Sequence, residues 1–106
     1  DFECVFGAQS PPQAEQLLQV HQPTFLLCDY WLGESYPPSV EFIPRWRREY
    51  PCLKRVVLMT GTKSSSIPHC PAIDDIFAKP LRLSAMVDYF KGHAQALPVD
   101  GLLKVR

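Results

Sequence analysis

Thr24-Phe25-Leu26-Leu27-Cys28-Asp29 is a largely apolar run closed by an acid. A run of that length without polar alternation reads as a strand covered on both faces, as in parallel sheets wrapped by helices. Upstream, Glu3 to Phe6 is a short β-prone run closed by Gly7. Ser10-Pro11-Pro12-Gln13 then reads as a helix start: serine cap, proline in the first turn, glutamine at the capping-box position. Ala14, Leu17, Leu18 and His21 follow at helical spacing, and Pro23 stops the helix.

Downstream, a loop holds Gly33, Pro37 and Pro38, and Ser39 offers a second cap. Ile43, Trp46 and Tyr50 mark a buried helical stripe. Pro44 fits only a first turn, so the regular helix begins near Ile43 after an irregular lead-in, and Pro51 ends it. Val56 to Met59 is the next buried strand. Three serines, Pro68 and Pro71 then leave room for at most one helical turn. Ile76-Phe77-Ala78 reads as a last short strand. Ser84 caps a helix with Met86, Val87 and Phe90 on one face, and Gly92 ends it. The alternation implies an α/β fold, a doubly wound parallel sheet with helices on both faces. Residues 1–93 make the domain, and 94–106 a C-terminal tail or linker with a small apolar run at Leu102-Leu103.

Composition agrees with one domain: 106 residues are too few for two, and 46% hydrophobic with 21% charged residues is a globular balance. Eleven basic and eleven acidic residues give no net charge, which argues against direct nucleic-acid binding. Apolar runs are too short to span a membrane, and no signal peptide is visible. Cys4, Cys28, Cys52 and Cys70 are widely spaced, without metal-ligand intervals, and read as reduced thiols of a cytoplasmic protein.

Three strands each end in a polar residue: Asp29, Thr60 and Lys79. Ligands of such sheets bind outside the carboxyl ends of the strands, where parallel register gathers these side chains. A carboxylate, a hydroxyl and an ammonium together suit phosphoryl chemistry: the first attacks phosphorus, the others stabilise its oxygens. Any one of them alone is an ordinary strand-end residue.

The segments LLCDYWLGES, VVLMTGT and IFAKPLRLSAM, within a match from about Phe2 to Phe90, resemble the receiver domains of two-component response regulators. The resemblance implies a flavodoxin-like (CheY-like) sheet, Asp29 as phospho-acceptor, Thr60 followed by Gly61 as the switch hydroxyl, and Lys79 as the phosphate-contacting lysine. Lys79-Pro80 would be a cis peptide. The implied partners are a histidine kinase or phosphotransfer protein, with an output domain or a homodimer beyond it. The implied cofactor is Mg²⁺, and the implied location the cytoplasm.

The chain departs from that pattern. It opens at what corresponds to the family's second strand, so the first strand, first helix and metal-holding acidic pair are missing. Asp74 and Asp75 precede a strand and read as a solvated turn. Asp29 alone is a partial metal ligand, since Mg²⁺ prefers octahedral oxygen coordination. The sheet is left with a slot between its first two strands. Those strands pair directly, or Leu102 to Arg106 or a second chain fills it. Ile76 stands where the family carries its switch aromatic, and Trp31 lies two residues after Asp29 as a loop aromatic or a lid. The alternatives are a pseudo-receiver, an interaction module without phosphorylation, and a haloacid-dehalogenase-like phosphatase. The phosphatase lacks its second aspartate, because Trp31 occupies that position.

Overall fold

The computed structural model describes residues 5–61, 67, 69–79, 83–93 and 101–106. Among them are β1 (Val5–Ala8), α1 (Pro11–His21), β2 (Phe25–Asp29), α2 (Ile43–Glu49), β3 (Arg55–Thr60), β4 (Asp75–Ala78), α3 (Leu83–His93) and β5 (Leu102–Val105). All five strands are parallel, in the order β1-β5-β2-β3-β4.

The capping signals act as expected at α1. Ser10 is extended, with its Oγ accepting from the Gln13 N–H at 3.4 Å, while Gln13 Oε1 accepts from the Gln9 N–H at 2.9 Å. Pro11 and Pro12 occupy first-turn positions where no N–H is needed. Gln22 closes the helix in the left-handed region, φ 49°, before Pro23. The second cap is a correction. Ser39 opens a 3-10 turn, Ser39–Glu41, is fully buried, and makes no side-chain cap. Gly7 lies inside β1 rather than closing it, and Gly92 lies inside α3, where Ser84 is likewise a helical residue rather than the cap.

Alternation along the strands divides the interior into two layers. Leu26 and Cys28 of β2 join Val56 and Leu58 of β3 on one face, covered by Ala14 and Leu18 of α1 and Ile43 and Trp46 of α2. Phe25 and Leu27 join Val57 and Met59 on the other, under Met86 and Phe90 of α3. The steps β1→β2, β2→β3 and β3→β4 move one way across the sheet, with α1, α2 and Ile67 on the first face. The return from β4 to β5 runs the other way, with α3 on the second face. Reversing both direction and face preserves the hand, so the crossovers through α1, α2 and α3 share the single handedness of parallel sheets.

The slot between β1 and β2 is filled by this chain. Leu102 pairs with Val5 on one side and Phe25 on the other, and Val105 with Ala8 and Cys28. Leu102–Val105 is therefore no tail beyond the domain but a strand inside its sheet. The physical reason is burial: Leu102, Leu103 and Val105 are almost wholly removed from solvent, and their backbone groups satisfy two strand edges that would otherwise be open. Gly101, at φ 146°, accepts from the Thr24 and Phe25 N–H groups at 3.1 Å each and seats the strand's start. No described helix is long and apolar enough to cross a membrane.

Candidate functional site

The carboxyl edge of the sheet gathers the ends of β2, β3, β4 and β5. Register places Asp29 against Met59 and Thr60 against Ala78, so the three sequence-selected residues stand on three adjacent strand ends. Asp29 is only 7% exposed. Lys79 Nζ lies 2.7 Å from its Oδ1, a contact of charge and distance rather than an aligned hydrogen bond. Lys79 also donates its backbone N–H to the Thr60 carbonyl at 2.9 Å, which ties the third strand end to the second. Thr60 is buried at that junction. A Cβ built on Gly61 would meet nothing within 4 Å.

Beyond β3, Ile67 packs on the first face, and beyond β4, Met86 and Phe90 of α3 pack on the second. The carboxyl ends of the strands are the usual ligand position of an open α/β sheet. The cleft of about 450 Å³ bounded by Gln19, Gln22, Glu49, Tyr50 and Cys52 lies elsewhere, between the C-terminal ends of α1 and α2. It contains none of the three residues.

The loop leaving Asp29 is fastened at its base. Tyr30 donates its N–H to the Met59 carbonyl at 2.7 Å and accepts from the Ser39 N–H at 2.9 Å. Trp31 is 54% exposed, a half-solvated loop aromatic. Beneath Asp29, burial pushes the Cys28 thiol up to about 12, partly offset by Ser39 and reinforced by the Asp29 charge. Cys28 is thus a core thiol rather than a nucleophile. Cys28, Cys52 and Cys70 are all free, while Cys4 lies outside the described residues. So does Pro80, and with it the expected cis peptide. Ile76 packs partly buried against the first-face core.

Several residues were given a different part by sequence. Asp74 and Asp75 are not a solvated turn. Asp74 Oδ2 accepts from the Val56 N–H at 2.8 Å and from Arg47 at 2.9 Å, pinning β3 to the approach of β4. Asp75 pairs with Arg55 at 3.0 Å and accepts from the Tyr89 hydroxyl, fixing α3 to the sheet. An acid directly before a strand, with arginines on neighbouring elements, was the available signal. Arg106 closes β5 at the same edge of the sheet. It follows Val105, whose strand partner is Cys28, at the end of β5. Its N–H donates to the Ala8 carbonyl at 2.6 Å, and its Nη1 lies 3.2 Å from where a Gly33 Cβ would stand.

No described group of three or more His, Cys, Asp or Glu residues could hold a metal ion. Asp29 Oδ1 is paired with Lys79. Compared with protein-family models, curated proteins and solved structures, the chain matches none.

Proposed function

We propose that the chain is a receiver-like, cytoplasmic signalling domain in which Asp29 accepts a phosphoryl group from a histidine kinase or phosphotransfer protein, and that it is not itself an enzyme. The observation that carries this reading is the Lys79–Asp29 ion pair at the carboxyl edge of a parallel sheet. Strand order supports it as well. With β5 in the slot of the family's first strand, β1-β5-β2-β3-β4 corresponds to the flavodoxin-like order 2-1-3-4-5.

In this reading an Asp29 carboxylate oxygen forms a bond to phosphorus while the phosphorus–nitrogen bond of a phosphohistidine breaks. The imidazole nitrogen keeps the electron pair and takes a proton. Lys79 remains beside the acceptor and meets the charge of the transferred oxygens. Thr60, one strand further, is the hydroxyl that responds to the new group.

A second reading is the pseudo-receiver, the same fold without phosphorylation, in which the Lys79–Asp29 pair is a structural contact. Intact-mass measurement after incubation with phosphoramidate separates the two. The acceptor reading expects one added phosphoryl group, absent in Asp29→Asn. An unmodified wild-type chain leaves the interaction module.

A further inference from the structure

A cleft of about 450 Å³ opens between the C-terminal ends of α1 and α2. Helix α1 leads into β2 and α2 into β3, so the cleft borders the amino edge of the sheet, opposite to Asp29. A proline follows each helix closely, Pro23 after His21 and Pro51 after Glu49. Proline has no N–H, so Pro23 cannot donate to the Gln19 carbonyl, nor Pro51 to that of Arg47. The last helical bonds are those from Gln22 to Leu18 at 3.2 Å and from Tyr50 to Trp46 at 2.7 Å. The helix ends beside the cleft are thus rich in acceptors, and each carries the negative end of a helix dipole.

We infer that this cleft is a binding site for a small organic ammonium ion with an apolar stem, a function separate from the phosphoryl chemistry of Asp29. Its volume falls within the roughly 300–1,000 Å³ of small-molecule pockets. Leu18, fully buried, and Pro51 give it an apolar base beside the half-buried Tyr50. Gln19, Gln22 and Glu49 are exposed and bring amide and carboxylate oxygens to it. His21, Arg45, Arg48 and Lys54, the basic residues of the adjoining turns, lie outside the lining. Arg45 divides its charge between Glu15 and Glu49. Burial, then the Glu15 and Glu49 charges, push the Tyr50 phenol up against the opposing pull of Arg45. The carboxylates therefore outweigh the guanidinium at this point, so a cation is favoured and an anion opposed. An ammonium's three donors suit several acceptors at once, and its stem covers Leu18 and Tyr50.

The test titrates the full chain with phenethylammonium, with phenethyl alcohol as the uncharged counterpart of like shape. Saturable amide shifts are expected at Gln22, Tyr50 and Cys52. The alcohol should bind roughly tenfold more weakly, for want of charge-assisted contacts. Cys52 lines the cleft and Cys70 does not, so bound amine should slow iodoacetamide labelling of Cys52 and leave Cys70 unchanged. Glu49→Gln should weaken binding about two- to fivefold, the range of an exposed charge. Gln19→Lys, a swap between good helix formers at an exposed position, should abolish binding by placing a cation in the cleft. Equal affinity for amine and alcohol, no saturable shift, or undiminished binding in Gln19→Lys would each overturn the inference. Shifts at Asp29 and Gly61 in place of Gln22 and Cys52 would do the same. None of these results bears on phosphoryl transfer to Asp29, which the intact-mass measurement decides.

Discussion

Lys79 Nζ and Asp29 Oδ1 meet at 2.7 Å across two strand ends, yet their surroundings are unequal: the lysine side chain is 46% exposed and the aspartate side chain 9%. Removal of either partner therefore has different consequences. Lys79→Met leaves a nearly buried carboxylate without its counter-charge, a loss of about 1–3 kcal/mol. Asp29→Asn frees a lysine that can turn into water, so the cost stays within about 1 kcal/mol. Urea unfolding of the two variants checks the ordering. Equal losses would mean that the pair is solvent-screened on both sides.

Leu103 lies at the centre of β5, opposite Phe6 on one side and Leu26 on the other, and is fully buried. Leu103→Ala should cost about 2–5 kcal/mol. The adjacent Lys104 is exposed, and Lys104→Ala should change stability by no more than about 0.5 kcal/mol. Amide exchange at Leu103 should be among the slowest in the chain. A near-neutral Leu103→Ala would place residues 102–105 outside the sheet.

Glu15 ties α1 to α2 by accepting from the Trp46 indole at 2.9 Å and from Arg45. Burial raises its carboxyl pKa, but the Trp46 and Arg45 hydrogen bonds and the Arg45 charge outweigh burial and hold it below the ordinary value. A folded pKa below the unfolded one gives stability that is present above the unfolded value and lost as pH falls through the folded one. Stability measured against pH should therefore decline on the acid side, and Glu15→Gln should flatten part of that decline. An identical acid limb in the variant would remove Glu15 from the account.

Cys28 and Tyr89 govern the alkaline side. The Cys28 thiol is pushed to about 12 by burial, and Tyr89 to about 12 by burial and its hydrogen bond to Asp75, opposed by Arg55. Both folded values exceed the unfolded ones, so their stabilisation is complete below the unfolded pKa and is lost as pH rises toward the folded value. For the thiol the loss begins near a pH of about 8.5. Cys28→Ala should weaken that slope, and Tyr89→Phe should weaken the part above a pH of about 10. Iodoacetamide should label the half-buried Cys52 and Cys70 before Cys28. Early labelling of Cys28 would contradict its burial.

What was legible in sequence was local. Helix α1 announces itself through Ser10, two prolines, Gln13 and a regular apolar stripe, and each signal acts within one turn of the chain. The strands β2 and β3 are visible because both their faces are buried, which makes continuous apolar runs. The strand ends followed from the same runs, so Asp29, Thr60 and Lys79 could be placed on one edge. Non-local pairing was less accessible. Leu102-Leu103-Lys104-Val105 is short and carries a lysine, and only its fit between β1 and β2 distinguishes it from a tail. Asp74 and Asp75 looked like solvated charges because their arginine partners lie 27 and 20 residues away in the chain.

The position of β5 bears on how the protein is made. Four strands leave the ribosome before the one that must lie between the first two of them. Until residues 102–105 emerge, β1 and β2 each carry a bare hydrogen-bonding edge, and Phe6 and Leu26 lack the neighbour that separates them from water. Closure of the sheet is thus deferred to the end of this segment's synthesis. The nascent intermediate is the species most exposed to mispairing and most in need of chaperone cover.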